Sequence, residues 1–135
     1  GAALIEVRRS GEQFLARALW ETTAMKNKFN TSVYYEGNIY GMDESILTCI
    51  DAKTGERRWK QGRYGYGQLL LAGDTLIVLT ESGELVLVKA TPSQHSELAR
   101  SQAISGKTWN HPALAAGRLL VRNTNEMACF RISPD

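Results

Sequence analysis

Two cysteines (Cys49 and Cys129), two histidines (His95 and His111) and an acidic turn, Asp51-Ala52-Lys53-Thr54-Gly55, are the places where this chain has side chains suited to chemistry. A structural zinc site needs four Cys or His ligands, usually in closely spaced pairs. Neither the cysteines nor the histidines are spaced in that way, so no metal site is expected. No Ser-His-Asp set, Walker loop or dinucleotide fingerprint is present. The glycines of "YEGNIYG" and "GYGQ" lack the strand-turn-helix context that phosphate binding requires. Arg57, Arg58, Lys60 and Arg63 cluster where a strand leaves for a loop. With a net charge of only +2 they read as a solvated strand edge, and no nucleic-acid partner is expected. His95, within "TPSQHSE", is expected in a solvated loop. Trp109, Asn110 and His111 form a polar and aromatic group at the start of a strand. They read either as a candidate binding face or as packing between structural units. No catalytic constellation emerges, and the chain leans towards a non-enzyme.

The elements that must position these residues are strands. Short alternating or β-branched runs recur, each bounded by a turn signal: "SVYYEGNIYGM", "LLLAGDTLIVL", "ELVLVKA" and "ALAAGRLLVRN". Glu36-Gly37-Asn38, Ala72-Gly73-Asp74 and Ala116-Gly117-Arg118 have hairpin-turn chemistry. No window of helical length carries a capped apolar stripe; "GEQFLARALWET" comes nearest. At 135 residues, 43% of them hydrophobic, the chain is long enough for one domain with a sizeable core. No apolar run approaches the roughly 20 residues of a membrane-spanning helix, so no transmembrane segment is expected. The recurring strand runs and turn signals point to an all-β protein.

Self-comparison organises these strands. "SVYYEGNIYGMDESILTCID", "QLLLAGDTLIVLTESGELVLVK" and "PALAAGRLLVRNTNEMACFR" superpose on their first glycine turns, each reading strand, turn, strand, turn, strand. The middle copy has two extra residues in its second hairpin, an even insertion that preserves which side chains face inward. "LIEVRRSGEQFLARALW" aligns with "LVLVKATPSQHSELARSQA", so that Leu15-Ala16-Arg17 falls on Leu98-Ala99-Arg100 and Trp20 on Ala103. "FLARALW" is therefore the last strand of an earlier unit and not a helix. A period of about forty residues of four antiparallel strands is the signature of propeller blades. The expected fold is a partial β-propeller of about three four-stranded antiparallel blades, in a single domain over 1–135. Its blade pieces are expected near 4–20, 31–60, 66–104 and 111–132. A β-sandwich is the alternative.

"LTCIDAKTGERRW" resembles the blade-ending motif of the PQQ-like (quinoprotein-type) β-propellers: a small residue, then Asp51, then Thr54-Gly55, then Trp59. "FNTSVYYEGNIYG" is similar to that family's opening strands, and the segments from "GELVLVKA" to "MACFRI" are similar to the last blades of bacterial PQQ-like repeat proteins. The motif is complete once. Five extra residues separate Gly11 from Trp20 in the first unit, and Lys89, Pro92 and Ala103 stand for Asp, Thr and Trp in the third. The motif's chemistry is structural, with Asp51, Thr54 and Gly55 shaping a turn and Trp59 and Trp20 docking against a neighbouring blade.

Three functions follow from the resemblance. The first is a non-enzymatic binding or assembly scaffold, like the outer-membrane assembly lipoproteins that share the repeat. The second is part of a PQQ-dependent alcohol or sugar dehydrogenase, which would bring PQQ and calcium. The third is a sensor or carbohydrate-handling module of an exported protein. The scaffold reading carries no cofactor, because the chain has no adjacent cysteine pair. The resemblance implies a periplasmic or extracytoplasmic location and a larger bacterial parent. The expected partners are the parent's remaining blades, a second copy joined through exposed blade edges, or another protein. Cys49, Leu87 and Cys129 share one blade position, so both cysteines are expected as buried free thiols, too far apart for a disulfide.

Overall fold

The computed structural model describes residues 1–132, which contain strands, turns and connectors and no helix. Strands β1 (Ala2–Ser10) and β2 (Gln13–Thr22) pair as a hairpin. A four-stranded sheet follows, made of β3 (Val33–Tyr35), β4 (Asn38–Asp43), β5 (Ile46–Asp51) and β6 (Arg57–Arg63). The next has β7 (Gln68–Ala72), β8 (Thr75–Leu79), β9 (Glu84–Lys89) and β10 (Glu97–Gln102). The last has three strands, β11 (Ala113–Ala115), β12 (Arg118–Arg122) and β13 (Met127–Arg131). Within every sheet, strands consecutive in sequence are antiparallel neighbours. A sandwich would share the strands between two facing sheets. Here each sheet is a separate meander over its own run of sequence, so the fold is that of a partial β-propeller, as expected.

Strand alternation explains how the sheets stack. In β8, Leu76 and Val78 face the preceding sheet, joining Tyr40, Met42, Leu47 and Cys49 in one core cluster. Ile77 and Leu79 face the following sheet, joining Ile104, Leu119 and Val121 in another. A strand buried on both faces must be apolar on both, and β8 is so from Leu76 to Leu79. The outer strands behave oppositely: β10 is exposed along its whole length, and β6 along most of it. The tight turns follow the pairing. Tyr35 opposes Asn38, leaving Glu36 and Gly37 at φ 43° and 79° in a type I′ hairpin whose twist suits the flanking strands.

The two cysteines part company. Cys49 on β5 points into the cluster between the two four-stranded sheets and is fully buried, which pushes its thiol up to about 11. Cys129 on β13 is exposed, contrary to the expectation of two buried thiols. Its neighbours Ala128 and Phe130 pack against the preceding sheet, so Cys129 faces the other way, where no further sheet lies against β13 among the described residues. Neither cysteine is bonded to the other. A thiol reagent should therefore label one group quickly in the native protein and a second only on unfolding. Equal labelling rates for both would contradict this packing.

Candidate functional site

The opening motif forms a turn whose polar groups satisfy one another. Asp51 Oδ1 accepts the backbone N–H groups of Lys53 (2.8 Å) and Thr54 (2.9 Å), and Oδ2 pairs with Arg58 (2.6 Å). The Thr54 amide, then Arg58, hold this carboxyl below the usual carboxylate range. Thr54 Oγ1 accepts from the Glu56 amide at 3.2 Å. Gly55 sits at φ +74°, and a Cβ on it would lie 2.7 Å from the Trp20 ring, so glycine is required both for the conformation and for the approach of the preceding sheet. The Trp20 indole N–H donates to the Ala52 carbonyl at 3.1 Å. Trp59 repeats the arrangement one sheet later, donating to the Thr91 carbonyl at 2.9 Å; each acceptor lies 32 residues beyond its tryptophan. Asp51, Thr54, Gly55, Trp20 and Trp59 together form clasps between neighbouring sheets.

The second clasp also recruits His95, which is not the solvated loop residue expected from sequence. Its ring lies edge-on to Trp59, with centres 5.7 Å apart, and Nε2 is 2.8 Å from the Tyr64 hydroxyl. That hydroxyl also reaches Glu97 Oε2 at 3.1 Å, and Arg100 grips the same carboxylate through two nitrogens. Burial holds the His95 pKa below its ordinary value; Glu97 opposes this and Arg100 reinforces it. A depressed histidine is neutral in the fold, while the unfolded chain takes up a proton below about pH 6.5. The stability it contributes is thus present above that pH and is lost as pH falls through it towards the folded value. The chemical-denaturation midpoint should drop between about pH 7 and 5. His95→Gln should flatten that part of the profile, and an unchanged slope in the variant would exclude His95 as its source.

A different group of residues meets at the connectors that lead from each outer strand to the next innermost strand. Phe29, Tyr66 and Trp109 come from three successive connectors. The Phe29 ring centre lies 5.8 Å from that of Tyr66 and 5.4 Å from that of Trp109. Phe29 and Trp109 nonetheless remain 53% and 43% exposed, which marks a surface cluster and not a core. Glu81, in the turn between β8 and β9, ties two of them together: Oε1 accepts the Trp109 indole N–H at 2.8 Å, and Oε2 the Tyr66 amide at 3.3 Å. The Phe29 connector is anchored separately. Asp43 accepts the Lys26 amide at 3.0 Å, and the Asn30 side chain donates to the Gly67 carbonyl at 2.7 Å. Lys28 lies 4.5 Å from the Tyr66 ring centre and Lys107 sits 4.1 Å above that of Trp109. The Tyr66 hydroxyl, which accepts from Lys28 at 2.9 Å, raises the lysine's pKa.

Of the residues singled out from sequence as a binding face, Trp109 belongs to this cluster. Asn110 lines the same open depression of about 510 Å³ beside it, with Lys107, Thr124 and Asn125. His111 does not line the depression; its Nδ1 is bonded to the Pro112 carbonyl at 2.7 Å. Phe29, Tyr66 and Glu81 escaped sequence reasoning. A signal for Phe29 exists: "FNTSV" and "WNHPA" both place an aromatic residue and an asparagine at the same distance before an inner strand. Glu81 carries no such signal, because its contacts come from two other connectors.

Residues 43–133 match the sequence family described as outer membrane protein assembly factor BamB. No curated protein matches the chain. The match covers more than half of the chain and agrees with the tandem four-stranded sheets and their tryptophan clasps, and the protein belongs to this PQQ-like β-propeller repeat family.

Proposed function

We propose that this chain is a non-enzymatic scaffold that acts outside the cytoplasm in protein assembly and engages a protein partner through its connector face. The observation that carries the reading is the meeting of Phe29, Tyr66 and Trp109 from three connectors on an exposed surface. Aromatic residues held rigidly at a surface are typical anchors of protein interfaces. The family's description, an outer-membrane protein assembly factor, supports the same function and an extracytoplasmic location. The open apolar side chains on β1 and β2, such as Val7 and Phe14, and Met127 on β13 suit contact with further blades or a second copy.

The dehydrogenase alternative is less well supported by the residues present. Among the described residues no three His, Cys, Asp or Glu side chains converge on one point, and Cys49 and Cys129 lie on different sheets. These residues do not fit a quinone held with calcium. Among the described residues no helix is long and apolar enough to cross a membrane. A photo-crosslinking residue at position 29 or 109 should capture the same component of an outer-membrane assembly machine in cells. The same probe at Leu98, an exposed apolar residue on β10, should not. Equal capture from Leu98, or a saturable micromolar response of tryptophan fluorescence to PQQ with calcium, would remove this reading.

A further inference from the structure

Resting on that reading, we propose that the connector face binds an acidic linear peptide segment, with an apolar side chain packed on Phe29 and Trp109 and separate flanking carboxylates paired with Lys107 and with Lys28. The seating of the lysines decides the chemistry. A ligand that stacks on aromatic faces, as a sugar ring does, needs a free face. Here one face of Trp109 is covered by the Lys107 ammonium and the Lys28 ammonium is held at the Tyr66 hydroxyl, while Phe29 leans against both rings. What the cluster offers outwards is therefore ammonium N–H groups beside apolar ring edges.

Neither lysine forms an ion pair with a carboxylate among the described residues. Glu81 is the cluster's own carboxylate, but its two oxygens are taken by the Trp109 indole and the Tyr66 amide. Glu44 is close enough to Lys28 to be felt electrostatically without pairing with it. Two ammonium groups against one internally bonded carboxylate leave the cluster short of an anion. An ammonium group already held at an aromatic side chain is partly ordered, so pairing it with a carboxylate costs less side-chain entropy than pairing a free surface lysine. Asn110 and Asn125 line the depression next to Trp109 and supply amide groups that a peptide backbone can bond.

The test uses the full 135-residue chain, two hexapeptides and the tryptophan indole N–H signals. The acidic probe is acetyl-Gly-Asp-Phe-Leu-Glu-Gly-amide, and its isostere carries Asn and Gln in place of Asp and Glu. Trp109→Phe assigns the Trp109 signal, and the Trp20 and Trp59 signals report whether each variant is folded. The acidic peptide should shift the Trp109 signal saturably, and the isostere should bind at least tenfold more weakly. The double variant Lys28→Glu, Lys107→Glu should lose tenfold or more for the acidic peptide while leaving Trp20 and Trp59 unmoved. Equal binding of the two peptides at Trp109 would overturn the acidic partner and leave the docking surface standing. No response of Trp109 to either peptide, or a saturable shift with maltohexaose instead, would overturn both.

Discussion

Replacing Trp59 with alanine should lower the unfolding free energy by about 3 kcal/mol, the lower end of the range for losing a large aromatic side chain, because this ring is half-buried. The ring packs on the largest core cluster, lies 6.0 Å from Tyr40 and 5.7 Å from His95, and donates its indole N–H to the Thr91 carbonyl. It joins the outer strand of one four-stranded sheet to the turn of the next, so its loss loosens the junction and not merely a local contact. Trp59→Phe separates the two contributions. It keeps most of the ring contact and removes only the hydrogen bond, so it should cost about 1 kcal/mol. Urea unfolding followed by circular dichroism measures both. A loss below about 1 kcal/mol for the alanine variant would mean that the sheets are held by strand packing alone, and that the clasp contributes little.

Gly83→Ala should be comparably severe for a different reason. Gly83 adopts φ +84°, where an L side chain is strained by about 1–2 kcal/mol. A Cβ there would lie 2.1 Å from the Ile104 carbonyl oxygen, a backbone atom that cannot rotate aside. Relieving that overlap adds about 1–3 kcal/mol. We expect a total of about 3 kcal/mol and a fall in Tm of about 10 °C. The effect should not be confined to stability. The Gly83 carbonyl accepts the amides of Ala103 and Ile104, and the Glu81 carbonyl accepts that of Thr108, so this turn carries the connector that delivers Trp109. The indole signal of Trp109 should shift in the variant while that of Trp20, in the first hairpin, stays in place. An unchanged Trp109 signal with full stability would show that the connector is positioned without this turn.

Much of the fold is legible in the chain because it is a repeat. Each four-stranded unit is written in local signals: a glycine turn such as Glu36-Gly37, a two-sided apolar run such as "LIVL", and a charged outer strand such as "RRWKQGR". Comparing units even corrected a misleading segment, since "FLARALW" has a passable helical pattern but belongs to strand β2. The clasp residues were legible for the same reason. What local signals did not carry was the fate of residues whose surroundings come from elsewhere in the chain. Cys129 shares its blade position with Cys49 but faces no neighbouring sheet, and His95 sits in a polar loop that folds onto Trp59 and Tyr64.

The sequence by itself therefore determined the class of fold, the alternation that makes the middle strands apolar on both sides, and the glycine and tryptophan positions of the clasps. All of these depend on residues close in the chain or repeated at a constant interval. Tertiary structure alone decided which connectors meet. Phe29, Tyr66 and Trp109 are far apart in sequence, and Glu81 lies in a turn with no resemblance to the connectors, yet the Phe29 ring meets the other two and Glu81 bonds the Trp109 indole and the Tyr66 amide. Stacking one sheet on the next sets the distance between successive connectors, and that distance is encoded in the packing of side chains such as Leu76, Val78, Ile77 and Leu79, not in the connectors themselves.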